Sequence, residues 1–108
     1  SPREQLTAAA LGGRWRELVR GRNRVLVTGD ARYPAVAIDK DGAFLLVAAD
    51  RALRPLSLPV PARDVLAATV DADRLLLGTS GYGLLYAPLD ELVPAAPPAG
   101  GGKVAGAQ

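Results

Sequence analysis

Ala35-Val36-Ala37-Ile38-Asp39-Lys40-Asp41-Gly42-Ala43-Phe44-Leu45-Leu46-Val47-Ala48 is the stretch that decides the fold class. Two short apolar runs flank a polar segment that ends in Asp-Gly. Each run is too short for a helix that could bury a face, and an Asp-Gly pair between two such runs is the strongest short-range signal for a β-hairpin. Asp41-Gly42 suits a type I′ turn, whose central residues take positive φ.

The same grammar extends in both directions. Upstream, Val25-Leu26-Val27-Thr28 reads as a strand broken by Gly29-Asp30. Downstream, Leu56-Ser57-Leu58 is hemmed in by Pro55, Pro59 and Pro61, which fits an edge strand or an extended connector because proline donates no backbone hydrogen bond. Val65 to Val70 and Leu75-Leu76-Leu77 flank Asp71-Ala72-Asp73-Arg74, a second hairpin candidate. Ser80-Gly81-Tyr82-Gly83 is another turn, with Tyr82 packed across strands, and Leu84-Leu85-Tyr86-Ala87 is the last strand. Pro88 to Val93 reads as one helical turn.

The ends read differently. Ser1-Pro2-Arg3-Glu4 combines an N-cap, a proline at the first helical position and a capping-box glutamate, and predicts a short helix ending at Gly12-Gly13. From Arg14 to Arg20 the pattern is ambiguous, with Trp15 expected to anchor the segment on the sheet. Pro94 to Gln108 is a Pro/Ala/Gly-rich tail, flexible or extended by composition. Three segments follow: residues 1–23, helix and basic connector; 24–93, the β-rich module; 94–108, the tail.

Short strands at even spacing point to a sandwich, a barrel or propeller blades. Residues 35–48 and 65–78 both read strand, turn, strand, a weak internal repeat. The expected fold is mainly β, with antiparallel propeller-like blades, about two of them, and a short N-terminal helix. Two blades cannot close a ring, so other chains or domains would complete the architecture.

Composition narrows the chemistry. The 108 residues include no cysteine and no histidine, which removes disulfides, thiolate metal sites, the commonest zinc ligand and the commonest general base. No apolar run approaches the length of a membrane span, so the reading is of a soluble, cytoplasmic chain with no membrane partner. The Asp39/Asp41 and Asp71/Asp73 pairs lack the further oxygen ligands of a calcium loop and read as turn residues. Gly100-Gly101-Gly102-Lys103 fails the phosphate-loop pattern at Pro97 and Val104. Gly81-Tyr82-Gly83 lacks the third glycine and the helix of a dinucleotide site. No nucleophile has a base partner, so no catalytic residue and no cofactor is expected.

Charge is the remaining signal. Residues 1–35 carry seven arginines against Glu4, Glu17 and Asp30, while residues 36–108 are net acidic. The cluster Arg14, Arg16, Arg20, Arg22 and Arg24 can bind phosphates or an acidic protein face, or form a solvated basic loop.

Leu75-Leu76-Leu77-Gly78-Thr79-Ser80-Gly81-Tyr82-Gly83-Leu84-Leu85, followed by Pro88 to Val93 and then Gly102-Lys103, resembles a blade of the C-terminal domain of bacterial type IIA DNA topoisomerase A subunits, topoisomerase IV more than gyrase. The likeness covers residues 24–104, and the hairpin from Val36 to Val47 resembles the preceding blade. It implies a β-pinwheel whose basic rim binds duplex DNA, as a non-catalytic part of an ATP-dependent enzyme. Together with the arginine cluster it names Arg14, Arg16, Arg20, Arg22, Arg24, Arg32 and Lys103 as DNA contacts. The chain departs from the family in placing Leu84 and Leu85 where gyrase-like blades are basic, and it has no gyrase-specific wrapping motif. Ala31-Arg32-Tyr33 is similar to the family's cutting Arg-Tyr pair, but Pro34-Ala35-Val36 does not continue that motif. Tyr33 therefore reads as a half-buried residue at a strand entrance. The alternative function is a β-rich interaction or assembly module that self-associates or docks on a partner chain through open strand edges.

Overall fold

The computed structural model describes residues 12–93. The helix expected over the first residues and the tail from Pro94 lie outside them. The described chain is mainly β, with seven strands in two antiparallel sheets. Strands β1 (Arg24–Val27), β2 (Ala35–Asp39), β3 (Gly42–Val47) and β4 (Ala52–Leu56) form one sheet in the order β1-β2-β3-β4. A connector ending in a 3-10 turn, Ala62–Asp64, leads to the second sheet, β5 (Val65–Asp71), β6 (Arg74–Thr79) and β7 (Leu84–Pro88), in the order β5-β6-β7. One short helix, α1 (Leu89–Leu92), follows β7. Both sheets are plain up-and-down meanders and they do not close into a propeller.

Side-chain alternation selects the core. Val36 faces Leu45 across β2–β3, Ile38 faces Ala43, and Ala43 faces Leu56 across β3–β4. Directly opposed residues project to one face, so these share the inner face of the first sheet. Val65, Ala68, Leu75 and Leu77 line the inner face of the second, and Leu89 of α1 packs into the same cluster. Fully burying an aliphatic side chain of this kind contributes about 1.5–3 kcal/mol, and Leu45, Leu75, Val36 and Val65 are essentially inaccessible. These residues hold the two sheets together.

The sheets meet along β1 and β5. The Arg24 guanidinium, through Nη1, donates to the Val65 carbonyl at 2.5 Å, and the Thr69 hydroxyl donates to the Thr28 carbonyl at 3.0 Å. The first residues of β1 and β5 thus lie together, as do their later residues, and the two strands run in the same direction. Farther from this seam, the end of β4 and β6–β7 enclose an apolar cleft of about 390 Å³ lined by Leu56, Leu58, Leu77, Leu85 and Leu92 among others.

Several local expectations change. The first hairpin turns on Lys40-Asp41, because Asp39 pairs with Gly42. Neither turn residue has positive φ, and Gly42 carries the positive value, 131°. Glycine therefore serves the position after the turn rather than its centre, the place where type I turns favour it. The second hairpin turns on Ala72-Asp73, with Ala72 forced to φ 56°. The hairpins matched in the sequence hold different places, second and third strands in one sheet but first and second in the other. Trp15 is not an anchor: it is 73% exposed on an irregular segment. Tyr82, expected to pack across strands, stands half exposed at its turn. Tyr33 is half-buried against the core just before β2, as its position suggested.

Candidate nucleic-acid interface

The seven basic residues singled out in the sequence divide sharply. Arg22 Nη1 donates to Asp39 Oδ2 at 2.5 Å, and its guanidinium lies 5.1 Å from the Phe44 ring centroid. Arg24 ties the sheets through Val65, as described. Arg32 donates to both Asp30 oxygens, at 3.2 and 3.0 Å, to Asp73 Oδ1 at 3.4 Å and to the Ala72 carbonyl at 3.2 Å. These three side chains act within the fold. Arg20 pairs with Glu17 at 2.6 Å, and Arg16 bonds the carbonyls of Gly13 and Trp15. Arg14 is exposed. Lys103 lies outside the described residues.

The carboxylates register the pairing. The Arg22 hydrogen bond, aided by the Asp41 amide, holds Asp39 below the usual carboxylate range. Arg32 lowers Asp30 in the same way and is itself raised by Asp30 and then Asp73, while Arg54 lowers Asp50. Opposite charge and hydrogen bonding both favour the ionised acid.

Topology decides which charges share a surface. In an up-and-down meander, alternate connections fall at the same end of the sheet. The start of β1, the β2–β3 turn, the end of β4, the start of β5 and the β6–β7 turn all lie at one end. The Ser80 amide donates to the Asp64 carbonyl at 2.8 Å, which brings the 3-10 turn to the β6–β7 turn. This end gathers Lys40 and Arg63 with Arg22 and Arg24, and the segment bearing Arg14, Arg16 and Arg20 enters β1 here. Against these seven cations stand four carboxylates, Glu17, Asp39, Asp41 and Asp64, a net of +3. The opposite end holds Arg32, Arg51, Arg54 and Arg74 with six carboxylates, Asp30, Asp50, Asp71, Asp73, Asp90 and Glu91, a net of −2.

Arg32 is therefore separated from the arginines between 14 and 24 by the length of the strands, on the acidic end. Lys40 and Arg63 were missed by the sequence reading. Both are exposed and neither has an ion pair among the described residues. Lys40 could have been found from the hairpin alone, since its turn must lie at the end where an antiparallel β1 begins. Arg63 could not, because only the seam between the sheets brings it there.

Among the described residues no group of three or more acidic side chains could hold a metal ion, and no helix is long and apolar enough to cross a membrane. Comparison with protein-family models, with curated proteins and with solved structures finds no match to this chain.

Proposed function

We propose that the chain is a non-catalytic module that binds duplex DNA through the basic end of its two sheets. The observation that carries this reading is the segregation of charge along the strands: the connections at one end hold a net of +3 and those at the other a net of −2. A polyanion is attracted to the first and repelled by the second, which orients the module as well as attracting it. The contacts are Arg14, Arg16 and Arg20 on the entering segment, with Lys40 and Arg63 on the neighbouring turns. Arg22 and Arg24 add to the local potential but are committed to Asp39 and Val65. Backbone phosphates are the natural target, because an exposed, irregular basic segment with no groove-filling helix reads charge rather than sequence. The resemblance of the Leu75–Leu85 stretch to a topoisomerase blade supports the same partner, as one module of a larger DNA-handling enzyme.

The test is fluorescence anisotropy with a labelled random-sequence duplex across a salt series. Binding should weaken steeply with salt, by about 0.9 in the log–log slope for each phosphate neutralised. The double variant Lys40→Glu/Arg63→Glu should bind more weakly with a shallower slope. Failure of the chain to bind even at low salt would overturn the proposal.

A further inference from the structure

Two antiparallel sheets have four strand edges, and three of them are protected. β1 and β5 adjoin each other, bridged by Arg24 to Val65 and Thr69 to Thr28, and the β5 ladder is irregular between Val65 and Ala67. β4 carries Pro55, which donates no hydrogen bond, and Arg54, paired with Asp50 at 2.8 Å. Proline, charge and bulges are the ordinary devices that stop an edge from pairing with another chain.

The fourth edge, β7, carries only one of them, a proline at its far end. Leu84-Leu85-Tyr86-Ala87-Pro88 contains no charge, and its proline is the last residue. The hydrogen-bond phase shows which groups it offers. The Thr79 amide donates to the Gly83 carbonyl at 3.2 Å, and the Leu89 amide to the Asp73 carbonyl at 2.8 Å. Both pairs continue the register in which Leu77 faces Leu85 and Leu75 faces Ala87. In an antiparallel ladder alternate residues turn their backbone groups to the neighbour, so Leu85 and Ala87 bond β6. Leu84 and Tyr86 then aim both N–H and C=O away from the sheet. Their side chains lie on its outer face, 69% and 64% exposed. Among the described residues nothing hydrogen-bonds to this edge.

We infer that β7 pairs antiparallel with β7 of a second copy of this chain, joining two three-stranded sheets into one of six strands across a two-fold axis. The strand is self-complementary over Leu84 and Tyr86, each of which brings one donor and one acceptor, so that Leu84 of each copy can pair with Tyr86 of the other. Charge favours the antiparallel sense. β7 begins at the basic end of the module and finishes at the acidic end, beside Asp90 and Glu91. A two-fold pairing lays the basic end of each copy beside the acidic end of the other, whereas a parallel pairing would stack acid on acid. Leu84 and Tyr86 would meet their counterparts on one face, as cross-strand apolar pairs do. The inference is independent of DNA binding.

Analytical ultracentrifugation over a concentration series, in the absence of nucleic acid, tests it. The chain should pass from a monomer of 11.2 kDa to a species of twice that mass. Leu84→Lys, at a position 69% exposed and outside the core cluster, should abolish the dimer while circular dichroism stays unchanged. Tyr86→Lys, a second exposed position on the same edge, should do the same. A chain that stays monomeric into the millimolar range overturns the inference. So does a dimer that survives both lysine variants but is lost in Val27→Lys, which would move the contact to the exposed outer side of β1.

Discussion

Arg24 Nη1 donates to the carbonyl of Val65 at 2.5 Å, linking the first residue of β1 to the first residue of β5 across 41 positions of sequence. Arg24 stands opposite Ile38 on the inner face of its sheet, so its aliphatic stem runs beside the core while its head reaches the other sheet. An arginine in that setting is a tie between sheets as much as a surface charge.

That role separates two classes of arginine. Arg24→Ala should lower folding stability by about 1–2 kcal/mol, the range of a partly exposed hydrogen bond from a charged donor. Urea denaturation followed by circular dichroism measures it. Arg14→Ala should leave the denaturation midpoint unchanged and instead weaken duplex binding. A midpoint for Arg24→Ala equal to that of the parent chain would remove the tie.

Arg22 and Asp39 supply a pH dependence. The folded carboxyl of Asp39 lies below its unfolded value of about 3.9, so it binds a proton less readily when folded. Its contribution to stability is therefore complete above the unfolded value and is lost as pH falls through the lower folded one. Stability of the parent chain should decline on acidification below about pH 4. Asp39→Asn, already without that charge, should show a shallower decline over the same window. Parallel denaturation series at several acidic pH values give the comparison, and identical slopes would contradict it.

The turn between β5 and β6 holds Ala72 at φ 56°, a conformation that costs a residue with a β-carbon roughly 1 kcal/mol. Ala72→Gly removes that strain and gives back part of it through the greater freedom of glycine when unfolded. A small net stabilisation is expected, seen as a higher thermal midpoint. A clear drop would mean that the alanine methyl is needed where it is.

Leu45 tests the shared core. It is completely buried between Val36 and the second sheet, so Leu45→Ala should cost about 2–5 kcal/mol through lost transfer energy and a residual cavity. Both sheets should lose structure together, because one cluster serves both. Two separate transitions would show that each sheet has its own core.

Much of this fold was legible locally. The run from Ala35 to Ala48 specified a hairpin because two short apolar runs around a polar break ending in Asp-Gly leave few other ways to bury both segments. The Asp71–Arg74 hairpin and the helical turn after Pro88 followed from the same turn and proline chemistry, whereas the edge strand expected at Leu56-Ser57-Leu58 runs instead over Ala52–Leu56, with Pro55 inside it and Ser57-Leu58 in the connector. The sequence misled where a side chain's fate depends on distant neighbours. Trp15 had the composition of an anchor, yet no apolar surface receives it. The five arginines between 14 and 24 looked equivalent, and only the tertiary structure sorted them.

By itself, then, the sequence determined the mainly β class, the two hairpins and the lack of histidine and cysteine chemistry, since these depend on composition and on residues within a few positions of one another. The tertiary structure alone decided which charges act together. Strand direction carries Lys40 and Arg63 to the end where the arginine segment enters, and carries Arg32 to the other, among Asp30 and Asp73. It also decided that three strand edges are guarded and one is open. Those outcomes follow from packing two sheets along β1 and β5, a pairing of residues 41 positions apart that no local pattern encodes.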